Sequence, residues 1–194
     1  MAGERELAVT PEPETFPLCV DLDGTLVRTD TLHEQYLTAL VRRPLAALLV
    51  LLQLLRGKAA FKRGLSRISR IDPTALPYQS DFVEFLRAEK ARGRMLVFVT
   101  ASDHEVATTI AAHLAIFDEV MGSDGTTNLK SQAKAERLVA RFGRGKFSYA
   151  GNSHADLPVW SEAGEIILVN TPRSIDAKLA SSTIAHRFGN AATP

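Results

Sequence analysis

The chain has 194 residues, 45% of them apolar and 23% charged, with a net charge of +1. That length suits one domain, or one domain with an insertion, and is enough to bury a sizeable core. The near-neutral balance gives no reason to expect a nucleic-acid partner, and the single cysteine, Cys19, excludes an internal disulfide.

The opening stretch, residues 1–16, is acidic and proline-containing, lacks a hydrophobic signal region and reads as a loose tail. Residues 17–21 are an apolar run suited to a central parallel strand, and Asp23-Gly24-Thr25 forms the turn that leaves it. Cys19 lies in that run and reads as a buried, reduced thiol. Residues 31–43, 44–55 and 59–71 carry helical spacing, and Pro77 precedes a further helix ending near Ala91. From there the pattern alternates. Strands are expected at 95–100, 117–123, 146–152 and 165–170, with helices at 103–115, 130–141 and 154–164 and a last one at 174–181. This predicts an α/β fold with a parallel five-stranded sheet and an all-helical insertion after the first strand. The expected division is a core of residues 17–29 and 93–185, an insertion of 30–92, and a C-terminal tail of 186–194.

In such sheets ligands bind beyond the carboxyl ends of the strands. The first strand ends in Asp21 and Asp23, which alternation should project together. Two crowded carboxylates repel unless a cation or a proton intervenes. The next strand ends Thr100-Ala101-Ser102; the third is followed by Lys130 at a helix start, with Lys134 one turn later as its rival; the fourth ends Gly151-Asn152-Ser153, with Asp156 beyond. Asp21 can attack phosphorus. Asp23 can protonate a leaving oxygen and then deprotonate water. Thr100 and the neighbouring Ala101 backbone can bind a phosphate oxygen, as can Lys130 by its charge. Asp21, Asp23, Asn152 and Asp156 are the candidate ligands for magnesium (Mg2+).

DLDGT, the strand ending in Thr100, Lys130 and the GNSxxD stretch resemble the four motifs of the haloacid dehalogenase superfamily, in order across residues 18–160. The resemblance implies a Rossmann-like core with a helical cap, magnesium held partly by the Asp23 backbone carbonyl, and phosphatase activity through phospho-Asp21. One departure stands out: the family usually has an aspartate where this chain has Asn152. More narrowly, DLDGTLVRTDTLHEQYL, LLRGKAAFK, SDGTTNLKSQAKAERL and YAGNSHADLPVW are similar to the phosphatase-like domain fused ahead of UbiA-type membrane prenyltransferases. That likeness implies work near prenyl or other lipid-linked phosphates.

Charge is unevenly spread. Residues 35–71 hold eight basic residues and no acidic one, which leaves about −7 for the rest of the chain. Leu45–Leu55 within them is apolar nearly all round and too short to span a bilayer. It reads as a helix buried between its neighbours, as a self-association surface, or as an apolar surface with a basic rim that meets a membrane through residues 42–63. The expected location is cytoplasmic, with membrane association under the last of these. The expected function is a magnesium-dependent phosphomonoester hydrolase acting on a small-molecule or lipid-linked phosphate. The alternative is a catalytically weak domain that binds a lipid phosphate or a membrane enzyme.

Overall fold

The computed structural model describes residues 15–124, 126–179 and 183–189. Most of the expected tail 1–16, the end of the expected 174–181 helix and residues 190–194 lie outside these. Strands β1 (Leu18–Val20), β2 (Leu96–Asp103), β3 (Glu119–Ser123), β4 (Ser148–Gly151), β5 (Glu165–Val169) and β6 (Ile184–Phe188) form one sheet in the order β3-β2-β1-β4-β5-β6. All five pairings are parallel. Helices α1 (Thr31–Arg42), α2 (Pro44–Leu51) and α3 (Lys58–Ile68) follow β1 directly, and α4 (Ser80–Ala91) leads into β2. Then come α5 (His104–Leu114), α6 (Gln132–Phe142), α7 (Leu157–Trp160) and α8 (Arg173–Asp176).

The sheet has six strands, one more than expected. The sixth falls at 184–188, where a tail was expected from 186. Its sequence, IAHRF, is only weakly apolar, as an edge strand next to solvent allows. Phe188 anchors it, with its ring 5.1 Å from Phe82 and 5.0 Å from Phe85 of α4.

The three residues of β1 are fully buried and pair with β2 on one side and β4 on the other. Side chains alternate across a strand. Leu18 and Val20 join the core layer built with α4 and α5, and Cys19 joins the opposite layer built with α6 and α7. Burial pushes the Cys19 thiol well up, as expected of an unreactive core residue. The insertion has its own small core of Ala39, Ala47, Val50, Phe61 and Leu65. Helix α4 does not share it: Phe82 and Leu86 pack on the main sheet. The independently packed part of the expected 30–92 insertion therefore ends before α4. The reason is visible in α4 itself, whose buried positions 82, 83, 86 and 89 form one helical face.

Candidate active site

The strand order reverses at β1, so the loops leaving β1, β2 and β4 open onto one crevice. The Asp21 N–H still donates to the Ala150 carbonyl of β4, 3.1 Å away, so this residue is fixed by the sheet. Leu22 joins the α4/α5 layer, and Asp21 turns to the other side, toward α6. The chain then folds back, with the N–H groups of Thr25 and Leu26 both donating to the Leu22 carbonyl. Gly24 sits at φ +76° in this turn, and a Cβ there would lie 1.9 Å from Asn152 Nδ2. Only glycine meets both demands.

The two aspartates do not project together as alternation alone suggests. The Asp21 carboxylate accepts from Lys134 Nζ at 2.7 Å, and both side chains are largely buried. Asp23 turns to the insertion: its Oδ1 accepts from the N–H and the hydroxyl of Thr31, each at 2.7 Å, and its Oδ2 from Ser102 Oγ at 3.2 Å. Burial pushes the Asp21 carboxyl up to about 6 against the pull of Lys134. Burial also raises the Asp23 carboxyl, opposed by its bonds from Thr31.

Lys134 is held from behind. It also donates to Tyr149 Oη at 2.9 Å, and Tyr149 donates to Asp156 Oδ1 at 2.7 Å. Asp156 Oδ2 accepts from the N–H groups of Asn152 and Ser153 and from Ser153 Oγ. Burial and the two neighbouring carboxylates raise the Tyr149 phenol well above its usual value, which keeps it a neutral donor. Gly151 makes room for this chain, since a Cβ there would stand 2.8 Å from Asp156 Cγ.

A cavity of about 410 Å³ lies over these groups. Asp21, Asp23, Ala101, Lys130, Lys134, Asn152 and Asp156 line it, as the sequence led one to expect of most of them. Lys130 stands exposed on its wall and makes no ion pair among the described residues, so it is Lys134 that reaches Asp21. The helix was expected to open at residue 130. It opens at Gln132, after Ser131 at φ 52°, and that places Lys134 in its first turn. Thr100 does not border the cavity. It is fully buried, and its hydroxyl accepts from the Ser102 N–H at 3.0 Å, which shapes the irregular end of β2 whose Ala101 and Ser102 do.

Among the described residues no three His, Cys, Asp or Glu side chains cluster as a cation site. The Asp23 and Asp156 carboxylates accept hydrogen bonds from Thr31 and Ser102 and from Tyr149 and Ser153, while the backbone carbonyl through which the family resemblance implies Asp23 would act is not involved in these bonds. Of the oxygen-bearing side chains on the cavity wall, the Asp21 carboxylate and the Asn152 amide stand at the ends of β1 and β4 beside each other's loops. Two hard oxygen donors beside an open cavity fit magnesium, which keeps several waters and binds through one or two carboxylates plus substrate phosphate.

Three contributors escaped the sequence reading. Thr31 and Lys62 belong to the insertion, and Lys62 Nζ donates to the Ala101 carbonyl at 2.5 Å and to Asn128 Oδ1 at 3.0 Å. Burial lowers the pKa of this ammonium, with Asp23 acting against that. Tyr149 of β4 is the third.

A family model described as haloacid dehalogenase-like hydrolase matches residues 18–161. The chain is 37% identical over 172 residues to the uncharacterized protein y4nM of Sinorhizobium fredii, covering 89% of this chain and 33% of that protein. It therefore spans about a third of the length of that relative. Among solved structures, a substrate-bound phosphoserine phosphatase superposes with a TM-score of 0.62 at 15% identity, covering 92% of this chain and 95% of that one. A HAD-family hydrolase of Salmonella enterica serovar Typhi gives 0.60 at 15%, with 91% and 69% covered. The family model shows the family, and the solved structures show the fold. The chain belongs to the haloacid dehalogenase-like hydrolase family.

Proposed function

We propose that this protein is a phosphomonoester hydrolase that works through an aspartyl-phosphate on Asp21. The observation that carries the reading is the buried Asp21–Lys134 pair at the cavity floor, backed by Tyr149 and Asp156. A carboxyl raised to about 6 is still ionised at neutral pH, so Asp21 remains a nucleophile. One of its oxygens attacks phosphorus, and the bond from phosphorus to the leaving oxygen breaks. Asp23 acts as the acid that gives that oxygen its proton. The Asp23 carboxylate then takes a proton from water, which attacks phosphorus, releases phosphate and restores Asp21. Lys134 and the Ala101 N–H offset charge on the phosphoryl oxygens. Magnesium bound by Asp21 and Asn152 would add positive charge at the same oxygens.

The leaving group would lie under the insertion, which we read as a cap. Leu32, Leu54 and Phe61 supply apolar wall there, and Lys58 and Lys62 supply charge. An apolar wall next to cations supports an amphiphilic substrate, a phosphate on a lipid or prenyl chain. The neutral Asn152 favours a second reading, a domain that binds such a phosphate with little turnover.

Four outcomes are expected. Asp21→Asn should lower turnover of p-nitrophenyl phosphate by about 10³-fold or more; wild-type turnover in this variant overturns the mechanism. Lys134→Met should cost about 10²-fold in kcat, with circular dichroism showing an intact fold, whereas Lys130→Met should stay within about threefold. In a substrate screen, kcat/KM for an isoprenyl monophosphate should exceed that for phosphoserine; the reverse order would refute the lipid reading. Asn152→Asp should tighten magnesium binding by about tenfold in titration calorimetry, since ligand charge tunes affinity. Unchanged affinity would remove Asn152 from the metal site.

A further inference from the structure

The large apolar side chains that stand exposed among the described residues number nine, and all lie between Leu37 and Leu55. Leu45, Leu48, Leu49, Leu52 and Leu55 follow helical spacing along α2 and the 3₁₀ turn after it, and they are 76%, 55%, 65%, 61% and 89% exposed. The other side of the same helix, Ala47 and Val50, is buried on Phe61 and Leu65. The helix is thus apolar on both faces, and only one face has a partner within this chain. A contiguous exposed surface of this kind marks an interaction site.

A second observation indicates what meets it. A cavity of about 390 Å³ opens beside the start of α2, lined by Thr38, Arg42, Arg43, Arg67, Ser69 and Arg70 among others. Four arginines and no acidic residue line it. No ion pair among the described residues involves any of the four, although Glu34 and Asp72 border the neighbouring cavity that Arg42 and Arg70 also line. The hydroxyl of Ser69 is buried there without a hydrogen-bond partner. Arginines without an ion-pair partner among the described residues, around an unused hydroxyl, are suited to the oxygens of a phosphate group. Arg42 and Arg43 join α1 to α2, so the arginine cavity and the apolar face are continuous along the chain.

We propose that this face of the insertion docks on the surface of an anionic phospholipid bilayer. The leucines enter the boundary between headgroups and acyl chains, and the arginine cavity takes a lipid phosphate. No helix among the described residues is long and apolar enough to cross a membrane, so the contact is one of lying on the surface. An apolar face rimmed by basic residues, with no acidic residue from 35 to 71, is complementary to such a lipid surface and not to a second copy of itself, whose arginines would repel. Leu54 belongs both to the exposed face and to the wall of the active-site cavity, and Lys58 lines that cavity one turn on. Docking therefore puts the mouth of the cavity against the bilayer. That consequence rests on the hydrolase reading above, whereas the docking itself does not.

The test is co-sedimentation of the whole chain with vesicles of phosphatidylcholine alone and of an equal mixture with phosphatidylglycerol. The chain should partition onto the mixed vesicles about tenfold more than onto phosphatidylcholine. Leu48→Gln/Leu52→Gln/Leu55→Gln should abolish binding to both. Arg67→Gln/Arg70→Gln should bring binding to the mixed vesicles down to the phosphatidylcholine level. Both variants should retain the wild-type circular dichroism spectrum and wild-type hydrolysis of soluble p-nitrophenyl phosphate. Wild-type chain left in the supernatant with mixed vesicles overturns the proposal, as does undiminished binding by either variant. A concentration-dependent dimer that the leucine variant abolishes, without vesicle binding, would assign the face to a second copy. Vesicle binding by a chain that hydrolyses nothing would leave the docking standing and refute the hydrolase reading.

Discussion

The ion pair between Lys134 and Asp21 organises this site. Both groups are largely removed from water, and a lone charge there would be costly. Together they compensate each other, and the hydrogen bonds behind them settle the remaining valences. Lys134 donates to Tyr149, Tyr149 to Asp156, and Asp156 accepts from the loop that carries Asn152. One line of contacts therefore links the ends of β1 and β4 and the first turn of α6. Such a line fixes the orientation of Asp21, which a single bond would not.

The second constraint is the join between insertion and core. Asp23 belongs to the loop after β1, yet its carboxylate serves as acceptor for the first residue of α1. Lys62 reaches from α3 to the end of β2 and to Asn128 ahead of α6. The insertion therefore helps to hold the groups whose chemistry it covers. Its remaining surface is divided between an inner apolar face that packs and an outer one that does not, and the charge around the outer face has one sign. Chemistry at the sheet and contact at the insertion meet at Leu54 and Lys58.

The relation of residue pattern to structure differs from element to element. Apolar runs bounded by turn residues marked β1, β2, β4 and β5 because buried parallel strands need nothing else. β6 was missed because an edge strand needs less burial, and α4 was assigned to the insertion because helical spacing does not say against which layer a face packs. The cavity residues at strand ends were legible for a similar reason: the position of a polar residue after an apolar run is a one-dimensional fact. The direction of each side chain is not, and that is where Asp23 and Thr100 departed from expectation.

The sequence by itself determined the family, the parallel sheet, and Asp21 at the end of its central strand. It also showed Asn152 in place of a carboxylate and a basic, apolar insertion. Tertiary structure decided which of two lysines meets Asp21. Lys130 and Lys134 lie one helical turn apart and look equivalent as letters. The helix starts two residues later than its composition suggests, after Ser131 takes a positive φ, and only Lys134 then faces the aspartate. Tertiary structure likewise decided that the leucines of α2 have one covered face and one open face. An all-apolar helix carries no periodic signal from which its sequence could mark either side.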